Sequence, residues 1–245
     1  MDKLLYISMT GAREAGYAQA KTANNLANAS TTAFKADFAQ FRSMPVYGEG
    51  AASRVFAMTE RPGYRLSGGG AISTGRDLDI AIQGQGWMVT QNDQGEELLT
   101  RRGDLKIDAN GTLTDGVGKV IMGDGGPIAI PPFEKLDIAG DGTITIRPVG
   151  AQPNETAIVD RIRLVNPDPQ SLYKTEEGLF KSQETDVFDN DISVTLQTGT
   201  LEGSNVSVVE ELSNMIELSR QYEVQVKMMA SVEERGAALD RLLQP

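Results

Sequence analysis

The last forty-odd residues, Gly203 to Pro245, constrain this chain more than any other stretch. After Gly203-Ser204-Asn205 the chain holds no Pro, and a single Gly at position 236, until the terminal Pro245. Val208, Leu212, Met215, Ser219, Tyr222, Val226 and Met229 recur at alternating steps of four and three, which is the spacing of a coiled-coil-like seam. Ser204 or Asn205 is expected to cap the helix start, and Glu210 and Glu211 occupy early turns where the macrodipole favours anions. At 1.5 Å per residue the unbroken helix would run about 55 Å. A domain of this size rarely needs so long a helix. The seam is expected to find its partner in an assembly, the alternative being an ordinary amphipathic core helix.

Residues 1 to about 29 read as a second helix, in which Leu5, Met9, Ala12, Gly16, Ala23 and Leu26 keep the same stepping. This seam is built largely from small residues. Ala12, Ala15, Gly16, Ala18, Ala20, Ala23 and Ala27 would let a neighbouring helix come close, because interaxial distance follows side-chain size. Gly11 and Gly16 each cost about 1 kcal/mol of helix propensity, so the helix needs a partner. The two ends also differ in charge. Residues 1–35 carry Lys3, Arg13, Lys21 and Lys35 against Asp2 and Glu14, a net of +2, whereas residues 203–245 carry four basic and seven acidic residues, a net of −3. The ends are therefore expected to be mates, within one chain or between chains.

Composition excludes several functions. A net charge of −11 argues against nucleic acid as a partner, since no basic patch would neutralise a phosphate backbone. The absence of His and Cys removes Ser-His-Asp and Cys-His catalysis and the usual zinc sites. No run approaches the roughly 20 apolar residues of a membrane span, so no direct insertion is expected. The N-terminus lacks an apolar signal core, so export through a cleavable signal peptide is not expected. Thirty-four acidic residues guarantee chance carboxylate pairs, so a glycan-cleaving enzyme, which needs one pair at a defined separation, has no specific support. Asp189-Asn190-Asp191 lacks the spacing of a calcium loop, and Gly84-Gln85-Gly86 lacks the third glycine of a dinucleotide fingerprint. Neither a metal nor a cofactor is expected.

Between the ends, residues 36–76 carry Met44-Pro45-Val46-Tyr47-Gly48-Glu49-Gly50, Arg61-Pro62-Gly63 and Ser67-Gly68-Gly69-Gly70 as turn signals. Phe38, Phe41, Tyr47, Phe56 and Tyr64 argue against disorder. The stretch reads as an extended arm, with room for a β-hairpin. Residues 77–202 are β-rich. Leu78–Ile82, Asp104–Asp108 and Thr143–Ile146 alternate, with Asn110-Gly111, Asp115-Gly116 and Asp141-Gly142 as hairpin turns. Ile158 to Val165 reads as one further strand, and Leu179-Phe180 as packing on the core.

Three groups of motifs carry a family resemblance. The first is Asn24-Asn25-Leu26-Ala27-Asn28-Ala29-Ser30-Thr31-Thr32-Ala33-Phe34-Lys35. The second comprises Leu78-Asp79-Ile80-Ala81-Ile82-Gln83-Gly84-Gln85-Gly86-Trp87, Thr100-Arg101-Arg102-Gly103-Asp104 and Asp108-Ala109-Asn110-Gly111-Thr112-Leu113. The third is Gly199-Thr200-Leu201-Glu202-Gly203-Ser204-Asn205-Val206 followed by Arg220-Gln221-Tyr222-Glu223. In this order they resemble the bacterial flagellar axial proteins, the rod and hook subunits. Met1–Tyr6, Arg42–Val46, Thr74–Asp79 and Gly123–Ile128 most resemble the proximal rod members, with distal rod or hook-type subunits as the alternative. Members of the family usually carry Gly where this chain has Ala33, so a left-handed turn is not expected there.

The resulting expectation is an α+β fold with long paired terminal helices flanking an all-β middle and an extended arm. Residues 1–35 and 203–245 would form a discontinuous helical domain, 36–76 the arm and 77–202 the β domain. The resemblance implies a structural subunit that polymerises with itself and other rod proteins in a helical assembly and leaves the cell through the flagellar export apparatus. It also implies a place in the periplasmic rod and the transmission of motor torque. The expected assembly interface comprises Leu5, Met9, Ala12, Gly16, Ala23, Asn24, Asn25, Leu26, Asn28, Leu212, Met215, Tyr222, Val226 and Met229.

Overall fold

In a computed structural model the described residues are 3–38, 41–45, 55–59, 63–152, 155–183 and 188–242. Two helices bracket a mostly β middle, an α+β arrangement. Two compact units emerge, one of residues 1–29, 35–65 and 206–245, the other of residues 30–34 and 66–205.

The first unit contains α1 (Lys3–Ala27) and α2 (Val208–Leu242). Its four short strands are β1 (Asp37–Phe38), β2 (Phe41–Pro45), β3 (Val55–Thr59) and β4 (Gly63–Tyr64). β1 pairs antiparallel with β4, and β2 antiparallel with β3. The expected hairpin is thus present in the 36–65 stretch, while Val46 and Tyr47 lie outside the described residues. The Phe38 ring lies over Gly63, where a Cβ would come within 2.3 Å of it. The cap of α2 differs from expectation. Ser207 Oγ accepts from the Glu210 amide at 3.4 Å, while Asn205 spends its amide on the Ser67 carbonyl at 2.9 Å. Asn205 is thereby committed to the β unit, and the side chain nearest the first helical turn takes the cap.

The second unit is built from β5 (Ala71–Ser73), β6 (Ile80–Gln83), β7 (Trp87–Gln91), β8 (Glu97–Thr100), β9 (Lys106–Ile107), β10 (Leu113–Thr114), β11 (Val120–Gly123) and β12 (Gly126–Pro127). It continues with β13 (Phe133–Ile138), β14 (Thr143–Pro148), β15 (Ala157–Arg161), β16 (Leu164–Val165), β17 (Leu172–Lys174), β18 (Phe180–Ser182), β19 (Thr195–Thr198) and β20 (Thr200–Glu202). The largest sheet runs β17-β18-β8-β7-β11-β10-β9, with β12 on β11 and β16 on β7. A three-stranded sheet, β13-β14-β15, and the pairs β6-β19 and β5-β20 complete it. Ile80, Met88, Leu105, Leu113, Ile121, Ile128, Ile144, Ile162 and Leu164 are fully buried in one core. On β14 the buried Ile144 and Ile146 alternate with Thr143 and Thr145, the period that marked it as a strand.

Ile158 to Val165 does not form one strand. It divides into β15 and β16, which belong to different sheets. Between them the Ile162 amide donates to the Gly142 carbonyl and the Arg163 amide to the Met122 carbonyl, so the chain changes sheets at the buried Ile162. Alternation fixes the face of each side chain but not the sheet that receives it. The expected hairpin turns are present, with positive φ at Gly111, Gly118 and Gly142. At the middle turn Gly116 serves another purpose, since a Cβ there would lie 1.8 Å from Asp104 Oδ2. Beside it the buried Asp115 accepts from the Val117 and Lys119 amides through Oδ1, and desolvation pushes its carboxyl above the ordinary range.

Glu202 ties three segments of this unit together. Its carboxylate accepts from Arg101 Nε at 2.8 Å and from the Gly69 amide at 3.1 Å. Its carbonyl accepts from the Ala33 amide at 2.8 Å. Arg101 is satisfied in turn by the carbonyls of Gly86, Gly84 and Ile82 and stands over the Trp87 ring, which packs on Phe180. The glycines of the Gly84-Gln85-Gly86 turn, both at positive φ, thus present carbonyls to a guanidinium rather than amides to a phosphate.

Candidate assembly interface

The site is built on the two helices of the first unit. They lie side by side and antiparallel. Asn25 Nδ2 donates to Glu211 Oε1 at 2.9 Å, Gln19 Nε2 to Ser219 Oγ at 3.2 Å, and a Cβ on Gly11 would touch the Gln225 side chain at 2.9 Å. Gly11, a liability for helix propensity, is the contact that lets the helices approach. Asn25 is the most connected of the three motif asparagines. Besides Glu211 it exchanges two hydrogen bonds with the Asp37 backbone, at 2.7 and 2.9 Å, which pins the start of β1 against α1. Asn28 instead turns back to the Asn24 carbonyl, and Asn24 itself is exposed.

The residues that α1 turns inward are Ser8, Ala12, Glu14, Ala15, Ala18, Thr22 and Asn25. Of the sequence-predicted set, Ala12 and Asn25 are buried, Leu5, Gly16, Leu26 and Asn28 half-buried, and Met9, Ala23 and Asn24 exposed. On α2 the predicted Met215 and Met229 are half-buried, but Leu212, Tyr222 and Val226 are 45%, 44% and 40% exposed. Ile216, at 57%, joins them. Among the described residues no α2 side chain is buried outright; its best-covered positions include Leu218, Gln225, Met228 and Val232.

The faces explain the difference. At 100° per residue, the predicted α2 stripe centres about 65° from the direction of its inward residues. The predicted α1 stripe centres about 90° from its own inward direction, in the same rotational sense. Because the helices are antiparallel, equal senses put both stripes on one side of the pair. The opposite side holds the groove lined by Gly11, Ala15, Ala57, Glu217, Val224 and Gln225, and next to it the stretch where Asp37 and Phe38 pack. The two seams therefore lie side by side on an uncovered flank rather than against each other. Sequence reasoning overlooked Ser8, Thr22 and Glu14, which are polar and buried. Their signal was position alone, at helical spacing from Ala12, Ala15 and Ala18.

Comparison with known proteins adds independent findings. Residues 197–242, spanning all of α2, match a family described as flagellar basal body rod FlgEFG protein C-terminal. Residues 81–146, within the β unit, match the flagellar hook protein FlgE/F/G D1 domain. The chain is 37% identical to the flagellar basal-body rod protein FlgF of Salmonella typhimurium, covering 99% of each. It is 36% identical to the FlgF of Escherichia coli, again over 99% of each. The flagellar basal-body rod protein FlgG of Buchnera aphidicola from Acyrthosiphon pisum is 31% identical, over 97% of this chain and 98% of its own. Relatedness that runs unbroken through both helices and the β unit leads to one conclusion: this chain belongs to the flagellar basal-body rod proteins, a family of structural subunits.

Proposed function

We propose that the chain builds the proximal part of the rod by polymerising through its terminal helices, and that the resulting shaft transmits motor torque across the periplasm. One observation carries this reading: Leu212, Ile216, Tyr222 and Val226 stay exposed on α2. Monomeric proteins rarely leave a contiguous apolar strip of that length uncovered. Heterologous contacts that do not close generate a filament, and such a strip on a long helix suits them. In the rod, residues 1–35 and 203–245 act as one helical domain paired in coiled-coil fashion, residues 36–76 serve as an arm towards neighbours, and 77–202 form the outer domain. Leu5, Met9, Gly16, Ala23 and Leu26 supply the α1 share of the interface, and Met215 and Met229 extend the α2 share.

The partners on this reading are further copies and other rod proteins, reached through the flagellar export apparatus. No helix is long and apolar enough to cross a membrane among the described residues. On this reading the protein is a structural subunit without catalysis, which its likeness to proteins named as flagellar basal-body rod proteins supports. Leu212→Asp tests the reading. A carboxylate on a strip that is exposed in the free chain leaves the subunit folded, but it strands a charge once the strip is covered. Cells carrying only this variant are expected to lose motility while the protein accumulates normally. Wild-type swimming would exclude the strip as the assembly surface.

A further inference from the structure

The chain passes between its two compact units four times, at residues 29–30, 34–35, 65–66 and 205–206. Load carried along the backbone therefore enters the β unit through three short segments: residues 30–34, the stretch that begins at Leu66 and the stretch that ends at Asn205. Far apart in sequence, these segments are bonded to one another. The Ala33 amide donates to the Glu202 carbonyl at 2.8 Å and the Asn205 amide to the Phe34 carbonyl at 3.2 Å, which joins the first segment to the third. The Gly203 amide donates to the Gly70 carbonyl at 2.8 Å, and Asn205 Nδ2 to the Ser67 carbonyl at 2.9 Å, which joins the third to the second. Gly69 comes so near Gly203 that a Cβ on it would collide with the Gly203 carbonyl. Ser67 and Gly70 are exposed, and backbone bonds this close to water open readily unless something deeper holds them.

Glu202 reaches that deeper layer. It lies in the third segment, its carbonyl holds the first, and its carboxylate holds the second through the Gly69 amide. The same carboxylate meets Arg101 Nε at 2.8 Å, with both side chains buried. Arg101 is fixed in turn by the carbonyls of Ile82, Gly84 and Gly86, at the end of β6 and in the turn after it. A guanidinium spread over so many acceptors cannot swing aside without stranding buried donors. We propose that Arg101 and Glu202 form the mechanical anchor of the β unit, the point at which load from the chain ends passes into the β core. This rests on the reading of the assembled chain as a torque-bearing shaft. A pair that served only to hold the β core together would need no bonds to the crossing segments. The core closes without those segments, since the cluster from Ile80 to Leu196 includes no residue of 30–34, 66–70 or 202–205. Because the three segments share Glu202, a pull on any one of them is resisted by all, and the charge-assisted bond to Arg101 gives the shared point its stiffness.

Two full-length variants test the anchor. Glu202→Gln keeps the shape and an acceptor for the Gly69 amide but removes the charge that Arg101 meets. Gly69→Ala wedges the second and third segments apart while leaving Arg101, Glu202 and the core side chains unaltered. In both, hydrogen exchange at the Ala33 and Gly203 amides is expected to quicken several-fold, while the Leu113 and Ile162 amides of the core keep their protection. Cells carrying only either variant are expected to build rods in wild-type numbers and to swim in dilute medium. Thickening the medium with a viscous polymer is then expected to cut their motility several-fold further than that of the wild type. Unchanged exchange at Ala33 and Gly203 would overturn the anchor, as would a wild-type response to viscosity. Loss of rods at every viscosity would overturn it too, because that marks a role in folding alone; if Glu202→Gln fails to accumulate, Gly69→Ala decides by the same readings. Should Leu212→Asp abolish motility while both anchor variants match the wild type at every viscosity, the assembly reading stands and the anchor falls. Should Leu212→Asp swim normally while the anchor variants fail only under load, the exposed strip is not the assembly surface and the anchor stands.

Discussion

Ala33 shows how one residue can depart from a local rule. It has a φ of +55°, the only described non-glycine residue in the left-handed region. Its amide donates to the Glu202 carbonyl, and the next residue, Phe34, accepts from the Asn205 amide through its own carbonyl. An alanine was not expected to make this turn, because its Cβ crowds the neighbouring carbonyl. The conformation persists because the bonds on either side over-determine it. Ala33→Gly is therefore expected to stabilise the β unit by about 0.5–1 kcal/mol. Relief of strain of about 1–2 kcal/mol is partly offset by the greater freedom of glycine in the unfolded chain. The midpoint of urea unfolding, followed by the fluorescence of Trp87, reads this directly. A lower midpoint would mean that the turn carries no strain.

For the helices, exposure decides what a substitution does. Ala23 is exposed in the single chain, so enlarging it costs nothing there. Ala23→Trp is expected to melt with the wild type, yet to fail to enter rods, because overpacking of a close helix contact costs about 1–3 kcal/mol or more. Incorporation at wild-type levels would show that no neighbour approaches the small stripe. Ala15, about two turns nearer the N-terminus and on the side of α2, behaves oppositely because it is buried; enlarging it unfolds the pair rather than the assembly. The same helix thus carries two small faces with different duties. One admits α2 of its own chain, and the other is left for a neighbour.

For the whole molecule, the two units differ in how completely they bury themselves. The β unit encloses a continuous core from Ile80 to Leu196. The helical unit turns only alanines and polar side chains inward on α1 and buries no described α2 side chain outright. Helices draw most of their stability from tertiary packing, so the termini of the free subunit are expected to open far more readily than the middle. Brief trypsin treatment of the full chain should cut first at Arg13, Lys21, Arg220 and Lys227. The surviving fragment should start between residues 36 and 76 and end near Gly203. Termini that last as long as the middle would show that the free subunit already holds its helices closed, and ordering on assembly would have to be abandoned.

The extent of the two helices, the alternation of Thr143–Ile146 and the turns at Asn110-Gly111 and Asp141-Gly142 were all legible in the sequence, because each depends on a few neighbouring residues and on the period of the backbone. The stripe Leu212, Tyr222, Val226 was legible for the same reason. Its destination was not. Periodicity gives the angle of a stripe about its own helix, but not the direction from which the partner helix arrives. Here Gly11, Gln19 and Asn25 set that direction through contacts some two hundred residues away in sequence. The sheet change at Ile162 and the bond that lets Ala33 adopt a left-handed φ are likewise long-range, made with Gly142 and Glu202. Only the tertiary structure could decide them, since burial and hydrogen bonding are satisfied by whichever surface the folded chain brings near.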